Sequence, residues 1–175
     1  MKRILLVVDM LNDFVDPKGV LFCGESSREI IPIVKSLVDD FQAKEEGVIF
    51  LADAHEKDDK EFERFPPHAV KGTWGAEVIP ELAPKEKDVV VEKKRFSGFF
   101  DTDLEKILEG LAPGEVWVTG VCTSICVMDT VGDLCNRDMP VVVVKNGVAD
   151  FDEEFHKFAL ARMERVYGVK IVELE

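Results

Sequence analysis

The stretch Ile4-Leu5-Leu6-Val7-Val8-Asp9 decides the fold class, because five consecutive apolar residues end on a carboxylate. An apolar run without period-2 alternation is typical of a strand that is buried on both faces of a parallel sheet. Similar β-branched runs recur at residues 48–51, 89–91, 116–118, 141–144 and, more weakly, 169–172. The chain therefore has five or six candidate strands for one central sheet.

Helical patterns fill the intervals between these runs. Apolar residues recur at helical spacing over residues 30–41, and Thr102 with Glu105 forms a capping box before another apolar face. Two more helices are predicted over residues 126–137 and 153–167. This alternation predicts right-handed crossovers and a three-layer α/β/α fold around a central, mostly parallel sheet of five to six strands.

Length, charge and cysteine content narrow the class of protein. The 175 residues fit one domain spanning residues 1–175, and the net charge of −13 argues against nucleic-acid or anionic-membrane partners. No apolar run reaches the roughly 18–20 residues that a membrane span needs, and we expect a cytoplasmic protein. The four cysteines are too few for a disulfide framework. Cys122 and Cys135 are interpreted as structural, and Cys23 lies in a loop with no partner in view.

Chemically active side chains follow four of the predicted strands. The strands run, in chain order, into Asp9, Asp53-Ala54-His55, Glu92-Lys93-Lys94, and Thr119-Gly120 with the loop that carries Cys126. In open parallel sheets, ligands bind beyond the carboxyl ends of the strands. We therefore expect an acid, an acid–histidine pair, a lysine and a cysteine to lie at one edge.

Each of these residues also has an ordinary structural interpretation: Asp9 as a turn residue, the lysine pair as a solvated strand end, Cys126 as a small buried apolar group. Together they favour a nucleophilic site. Thr123 or Ser124 can cap a helix that begins near Cys126, where the helix dipole and a lysine would favour the thiolate. Asp9 can carry the proton from the thiol to a departing amine, and backbone N–H groups of residues 120–126 can hold an oxyanion.

A second cluster has the composition of a metal site. Asp53, His55 and His68 offer nitrogen and oxygen ligands that suit zinc, iron or manganese. His68 is equally explained as a loop residue beside Pro66 and Pro67. Spacing alone leaves both interpretations open.

Five motifs resemble the isochorismatase-like cysteine hydrolases, and within them the nicotinamidase/pyrazinamidase group. The resemblance runs over almost the whole chain, and the motifs are, in order, Asp9-Met10-Leu11-Asn12-Asp13-Phe14, Asp53-Ala54-His55, His68-Ala69-Val70-Lys71-Gly72-Thr73-Trp74-Gly75, Lys94-Arg95-Phe96-Ser97-Gly98-Phe99 and Thr119-Gly120-Val121-Cys122-Thr123-Ser124-Ile125-Cys126-Val127. The resemblance implies an isochorismatase-like, Rossmann-like fold.

The resemblance also implies roles for individual residues. The catalytic triad would be Asp9, Lys94 and Cys126, with Lys94 rather than Lys93 as the lysine. The peptide bond before Cys122 would be cis, and the amides of Cys122 and Cys126 would form the oxyanion hole.

Metal and substrate residues follow from the same resemblance. A divalent metal, zinc first with iron or manganese as alternatives, would be held by Asp53, His55 and His68 and would bind the pyridine nitrogen of the substrate. Glu61 stands where some members supply a fourth ligand. Phe65 replaces a frequent tryptophan, and with Phe14 it would wall a flat pocket; Leu11 and Ile125 are further departures from the nicotinamidase pattern.

Three functions remain open. The first is hydrolysis of nicotinamide to nicotinate and ammonia through a Cys126 thioester, a reaction of NAD metabolism. The second is hydrolysis of another amide or carbamoyl compound, and the third is ligand binding without chemistry. We expect a small-molecule amide as the partner, and the resemblance allows a homo-oligomer.

Overall fold

The computed structural model describes residues 2–175, and its centre is one six-stranded sheet in which every pairing is parallel. The strands are β1 (Arg3–Val8), β2 (Gly47–Asp53), β3 (Val89–Lys93), β4 (Glu115–Val121), β5 (Val141–Ala149) and β6 (Lys170–Val172). Their order across the sheet is β3-β2-β1-β4-β5-β6. The prediction of a mostly parallel sheet of five to six strands is confirmed, with six strands and no antiparallel pair among them.

Helices cover both faces of the sheet, which explains why the strand sequences do not alternate. Leu5 and Val7 of β1 pack in one core with the helices of residues 12–43, and Ile4, Leu6 and Val8 pack in the other with the helices of residues 104–167. The helices are α1 (Asn12–Val15), α2 (Glu25–Glu29), α3 (Ile31–Ala43), α4 (Leu104–Leu111), α5 (Met128–Cys135) and α6 (Glu153–Tyr167). None of the helices within residues 2–175 is long and apolar enough to cross a bilayer.

The helix ends follow the local sequence to different degrees. α6 has the predicted bounds, because the Asp152 side chain accepts the Phe155 N–H and Gly168 ends the helix in the left-handed conformation. The prediction of a helix over residues 126–137 is wrong about where the helix starts. A π-type turn, Thr123–Val127, comes first, and α5 continues from it.

The carboxyl ends of β1 and β4 lie side by side at the point where the strand order reverses. Gly120 makes this close approach possible: it has φ 111°, and a Cβ there would lie 2.0 Å from the Val8 carbonyl oxygen. Only glycine fits such a position. The loop that follows Gly120 is therefore held next to Asp9, in the crevice where open α/β sheets bind ligands.

The irregular segment of residues 56–84 returns to the same edge of the sheet. It contains three short 3₁₀ turns, Lys60–Glu63, Trp74–Ala76 and Pro80–Leu82. The His55 N–H donates to the Ala69 carbonyl at 3.0 Å, and the Lys71 N–H donates to the His55 carbonyl at 2.9 Å. These bonds fix the middle of the segment to the chain just beyond β2.

Candidate active site

Lys93 lies at the centre of the side chains that the strands bring together. Its Nζ is 2.8 Å from Asp9 Oδ2, 2.5 Å from Asp53 Oδ1 and 3.5 Å from Cys126 Sγ. Only 1% of its surface is exposed. Although burial opposes it, the Asp53 and Asp9 carboxylates hold the pKa of Lys93 well above its ordinary value, so the side chain is an ammonium ion.

The structure contradicts the prediction that Lys94 is the lysine of this cluster. Lys94 is 53% exposed, and its ammonium lies 3.5 Å from Glu56. Side chains alternate along β3, so that Val91 and Lys93 share the buried face while Glu92 is exposed. Three valines followed by three polar residues carry no sequence marker of this face, so the prediction of Lys94 rested on the resemblance alone.

Asp9 lies directly after β1 and is 1% exposed. Its Oδ1 accepts the Asp53 N–H at 3.0 Å, and its backbone has a left-handed φ of 48°. Burial and the nearby Asp53 carboxylate raise the pKa of Asp9 to about 6, against the opposing effect of Lys93. At neutral pH Asp9 is therefore mostly ionised. Because its pKa is close to neutral, it can accept a proton and release it again during a reaction.

Cys126 lies in the Thr123–Val127 turn and is buried. Burial raises the pKa of its thiol well above the usual range, and the Lys93 ammonium only partly offsets this. Burial thus opposes the thiolate that the Lys93 ammonium favours. A proton acceptor is needed, and Asp9, Asp53 and Cys126 have polar atoms within 4.8 Å of one another.

The contacts that hold the loop before Cys126 differ from the predicted side-chain cap. Neither Thr123 nor Ser124 caps a helix through its side chain. The Thr123 hydroxyl is 2.8 Å from His156 Nδ1, and the Ser124 N–H donates to Asp150 at 2.7 Å. The peptide bond between Val121 and Cys122 is cis, as the family resemblance implied.

Asp53, His55 and His68 form the second cluster, and all three are buried. One ligand atom from each lies within 4.8 Å of the other two. His55 Nδ1 is 3.1 Å from an Asp59 carboxylate oxygen, and His68 Nδ1 is 2.8 Å from the Pro66 carbonyl. Because these contacts use both Nδ1 atoms, both Nε2 atoms are available to a ligand.

Two buried polar atoms in this cluster have no hydrogen-bond partner within residues 2–175: His55 Nε2 and Glu61 Oε2. Glu61 Oε1 is 3.8 Å from His68 Nε2, which adds a carboxylate to the same group. Buried polar atoms are almost always paired, and nitrogen and oxygen donors in this arrangement fit a divalent cation such as zinc. The residues present therefore fit the metal that the family resemblance implies.

An outer pair supports these ligands, and the sequence interpretation missed it. Arg95 donates to both carboxylate oxygens of Asp59, at 3.0 and 3.1 Å. Although burial opposes it, hydrogen bonds from the Glu61 N–H, from His55 and from Arg95 hold the pKa of Asp59 well below its usual range. Asp59 is therefore a fixed anion that orients His55. Its four-residue spacing from His55 was the available sequence signal.

A cavity of about 380 Å³ opens onto both clusters. Phe14 and Phe65, the predicted substrate residues, both line it, with ring centroids 5.6 and 6.2 Å from that of His68. Phe96 and Phe151 also line the cavity, and the sequence interpretation missed both. Its polar walls are acids, thiols and His68; within the described chain no lysine or arginine lines it.

The comparisons with known proteins agree with this geometry. The isochorismatase domain family model matches residues 3–175. An uncharacterized isochorismatase family protein of Bacillus subtilis, PncA, is 37% identical over 183 residues, covering 99% of this chain and all of that protein. A probable inactive nicotinamidase of Arabidopsis thaliana is 32% identical, covering 95% of this chain and 89% of that protein.

Several solved structures are similar to this one over nearly the whole chain. The crystal structure of nicotinamidase/pyrazinamidase PncA from Bacillus subtilis has a TM-score of 0.94 at 36% identity, covering 99% of this chain and 100% of that one. The pyrazinamidase of Pyrococcus horikoshii in complex with zinc has a TM-score of 0.92 at 32% identity, with coverages of 99% and 100%. N-carbamoylsarcosine amidase from Thermoplasma acidophilum has a TM-score of 0.90 at 32% identity, with coverages of 99% and 96%.

Proposed function

Since this chain belongs to the isochorismatase family of hydrolases, we propose that it is a nicotinamidase that converts nicotinamide to nicotinate and ammonia through a thioester on Cys126. The observation that carries the proposal is the contact of Lys93 with both Asp9 and Cys126 beside the buried Asp53 and histidine cluster. A nucleophile, a proton carrier and a set of metal ligands thus adjoin one aromatic cavity.

In the first half-reaction, Cys126 Sγ attacks the carboxamide carbon as its proton passes to the ionised Asp9. The C–N bond of the tetrahedral intermediate then breaks, and Asp9 returns the proton to the departing nitrogen. Ammonia leaves, and the nicotinoyl group remains on Cys126 as a thioester. The pKa of about 6 suits Asp9 to both roles, because the group can lose and regain a proton near neutral pH.

In the second half-reaction, water attacks the thioester carbonyl and gives its proton to Asp9. The C–S bond breaks, the acid is released, and the Cys126 sulfur regains a proton from Asp9. Lys93 stays an ammonium ion throughout, because two carboxylates surround it. It holds Asp9 in place and stabilises negative charge that develops on Cys126 Sγ, 3.5 Å away.

The oxyanion and the ring are bound by other groups. The backbone N–H groups of Cys122 and Cys126 are the proposed donors to the developing oxyanion. Asp53, His55 and His68, with Glu61 as a fourth candidate, would hold a zinc ion, which when bound supplies a Lewis-acid site for the pyridine nitrogen. Phe14 and Phe65 would hold the faces of the ring.

A carbamoyl hydrolase is the second candidate, and the similarity to N-carbamoylsarcosine amidase favours it. The triad chemistry serves either substrate. A carbamoyl amino acid, however, carries a carboxylate, and such a group needs a cationic partner when it is buried. Within the described residues the cavity walls carry Asp9, Asp53 and Glu61 and no lysine or arginine, so such a carboxylate would depend on the zinc ion as its cationic partner. An uncharged aromatic amide fits these walls better.

Ammonia release from a matched set of amides tests the proposal. Zinc-loaded protein should hydrolyse nicotinamide and pyrazinamide, should hydrolyse benzamide much more slowly because it lacks the ring nitrogen, and should leave N-carbamoylsarcosine intact. Cys126→Ala is the control for contaminating amidases. Ammonia from N-carbamoylsarcosine without any from nicotinamide would establish the second candidate instead.

A further inference from the structure

Two thiols in the cavity wall take no part in the proposed chemistry. Cys23 Sγ and Cys122 Sγ are 3.1 Å apart although the residues are 99 positions apart in the chain. Both residues line the cavity that contains Asp9 and Cys126. All four cysteines are free thiols, and Cys23 and Cys122 are in direct contact.

Each thiol is held by its own segment of backbone. The Cys23 N–H donates to the Phe14 carbonyl at 2.8 Å, which ties Cys23 to α1. The Cys122 carbonyl accepts the N–H groups of Ile125 and Val127 at 3.1 and 3.2 Å, which ties Cys122 to the turn that carries Cys126. The short distance between the sulfurs therefore results from the packing of two separately anchored segments.

We propose that Cys23 and Cys122 form a redox-modifiable dithiol, which low-molecular-weight disulfides convert reversibly to an intramolecular disulfide. The sulfurs need to approach by about 1 Å to reach the disulfide length of about 2.05 Å. The bond would join the segment after α1 to the start of the Cys126 loop. It is a modification site in the cavity wall, distinct from the nucleophile.

The exchange balances with glutathione disulfide as the oxidant. One protein sulfur, as the thiolate, attacks a sulfur of glutathione disulfide, giving a mixed disulfide and one glutathione. The second protein thiolate attacks the protein sulfur of that mixed disulfide and releases the second glutathione. Two electrons and two protons pass from the protein to the two glutathione molecules, and dithiothreitol reverses the sequence.

The choice of this pair over the other cysteines rests on position. Cys126 Sγ contacts the Lys93 ammonium. Cys135 lies in α5, packed against the core on the opposite face of the sheet from the core that contains Cys23.

A bond across a loop of about 100 residues also restricts the unfolded chain strongly, so the oxidised protein should melt at a higher temperature.

Thiol counting in glutathione buffers tests the proposal without any substrate. The full chain is equilibrated anaerobically at graded ratios of glutathione to its disulfide, quenched in acid, alkylated and mapped by mass spectrometry. We expect the free thiols to fall from four to two, a Cys23–Cys122 peptide, and a melting temperature raised by about 5–10 °C. Cys135→Ser should lose two thiols likewise, and Cys23→Ser should not.

Three outcomes would overturn the proposal. They are four free thiols in the most oxidising buffer, a persistent mixed disulfide with glutathione, and loss of two of the three remaining thiols in Cys23→Ser. Turnover of nicotinamide gives a further readout that rests on the proposed function, whereas the thiol count does not. We expect oxidation to lower turnover at least five-fold and dithiothreitol to restore it; an equal loss in Cys23→Ser would show that the inhibition does not come from the Cys23–Cys122 disulfide.

Discussion

The two clusters of the site are built in different ways. Asp9 directly follows β1 and Lys93 ends β3, so the ladder of the sheet fixes their spacing, and Cys126 lies in the turn that follows β4. In the metal cluster, His68 comes from the irregular segment, and hydrogen bonds to Pro66 and across Ala69 hold it in place. The sheet therefore positions Asp9 and Lys93 of the reaction centre and Asp53 of the metal cluster, whereas His68 depends on a loop and its contacts.

The largest effect is expected from the nucleophile itself. Cys126→Ala should lower kcat/KM for nicotinamide by about 10⁴-fold or more, because no other group can form the thioester. Ammonia release measures the loss. Cys135→Ala is the matched control, since that thiol lies in α5, and it should retain nearly full activity. Residual turnover within tenfold of the wild type would contradict the role of Cys126.

Substitution of the two adjacent lysines, Lys93 and Lys94, tests how β3 orients its side chains. Lys93→Met should lower kcat/KM by about 10³-fold, because two buried carboxylates lose their shared cation. The melting temperature should fall for the same reason. Lys94→Met should change kcat/KM by less than about twofold, because that side chain is solvated. Equal losses in the two variants would show that β3 does not orient these residues as described.

Removal of His68, the metal ligand that comes from the loop, should affect the metal cluster and leave the reaction centre unchanged. His68→Ala should weaken zinc binding by about 100-fold, measured by competition with a chromophoric chelator. The rate at which iodoacetamide alkylates Cys126 should stay within about twofold of the wild type, because Asp9, Lys93 and Cys126 are unchanged. A zinc affinity equal to that of the wild type would remove His68 from the ligand set.

The smallest effect concerns the outer contact of His55. Asp59→Asn should weaken zinc binding by about tenfold, because the anion that orients the imidazole is lost. Asp58→Asn is the matched control: its side chain is exposed, and zinc affinity should not change. An equal effect of the two substitutions would mean that Asp59 acts only through net charge.

Most of the fold could be predicted from the sequence, because strands covered on both faces read as unbroken apolar runs. The run at Ile4–Val8 is an example, with alternate residues in the two cores. Helix starts were less predictable. Near Cys126, contacts from Asp150 and His156 to the loop replace the side-chain cap that Thr123 or Ser124 would supply.

The site was predictable in its chemistry and not in its details. Asp9, Asp53, His55 and Cys126 lie where the strand ends indicated, and His68 joins them from the irregular segment. The choice between Lys93 and Lys94 was missed, because three consecutive polar residues carry no apolar marker of which face is buried. The pairing of Lys93 with Asp53 in the sheet decides it.

The sequence by itself determined which chemical groups follow which strands, because apolar periodicity marks the strands and the next residues are then known. Tertiary structure alone decided which lysine faces Asp9, which atoms of His55 and Glu61 lack partners, and that Cys23 meets Cys122. These facts depend on register and on packing between segments up to 99 residues apart. Local sequence does not determine such distances, because they are set only when the helical layers pack against the sheet.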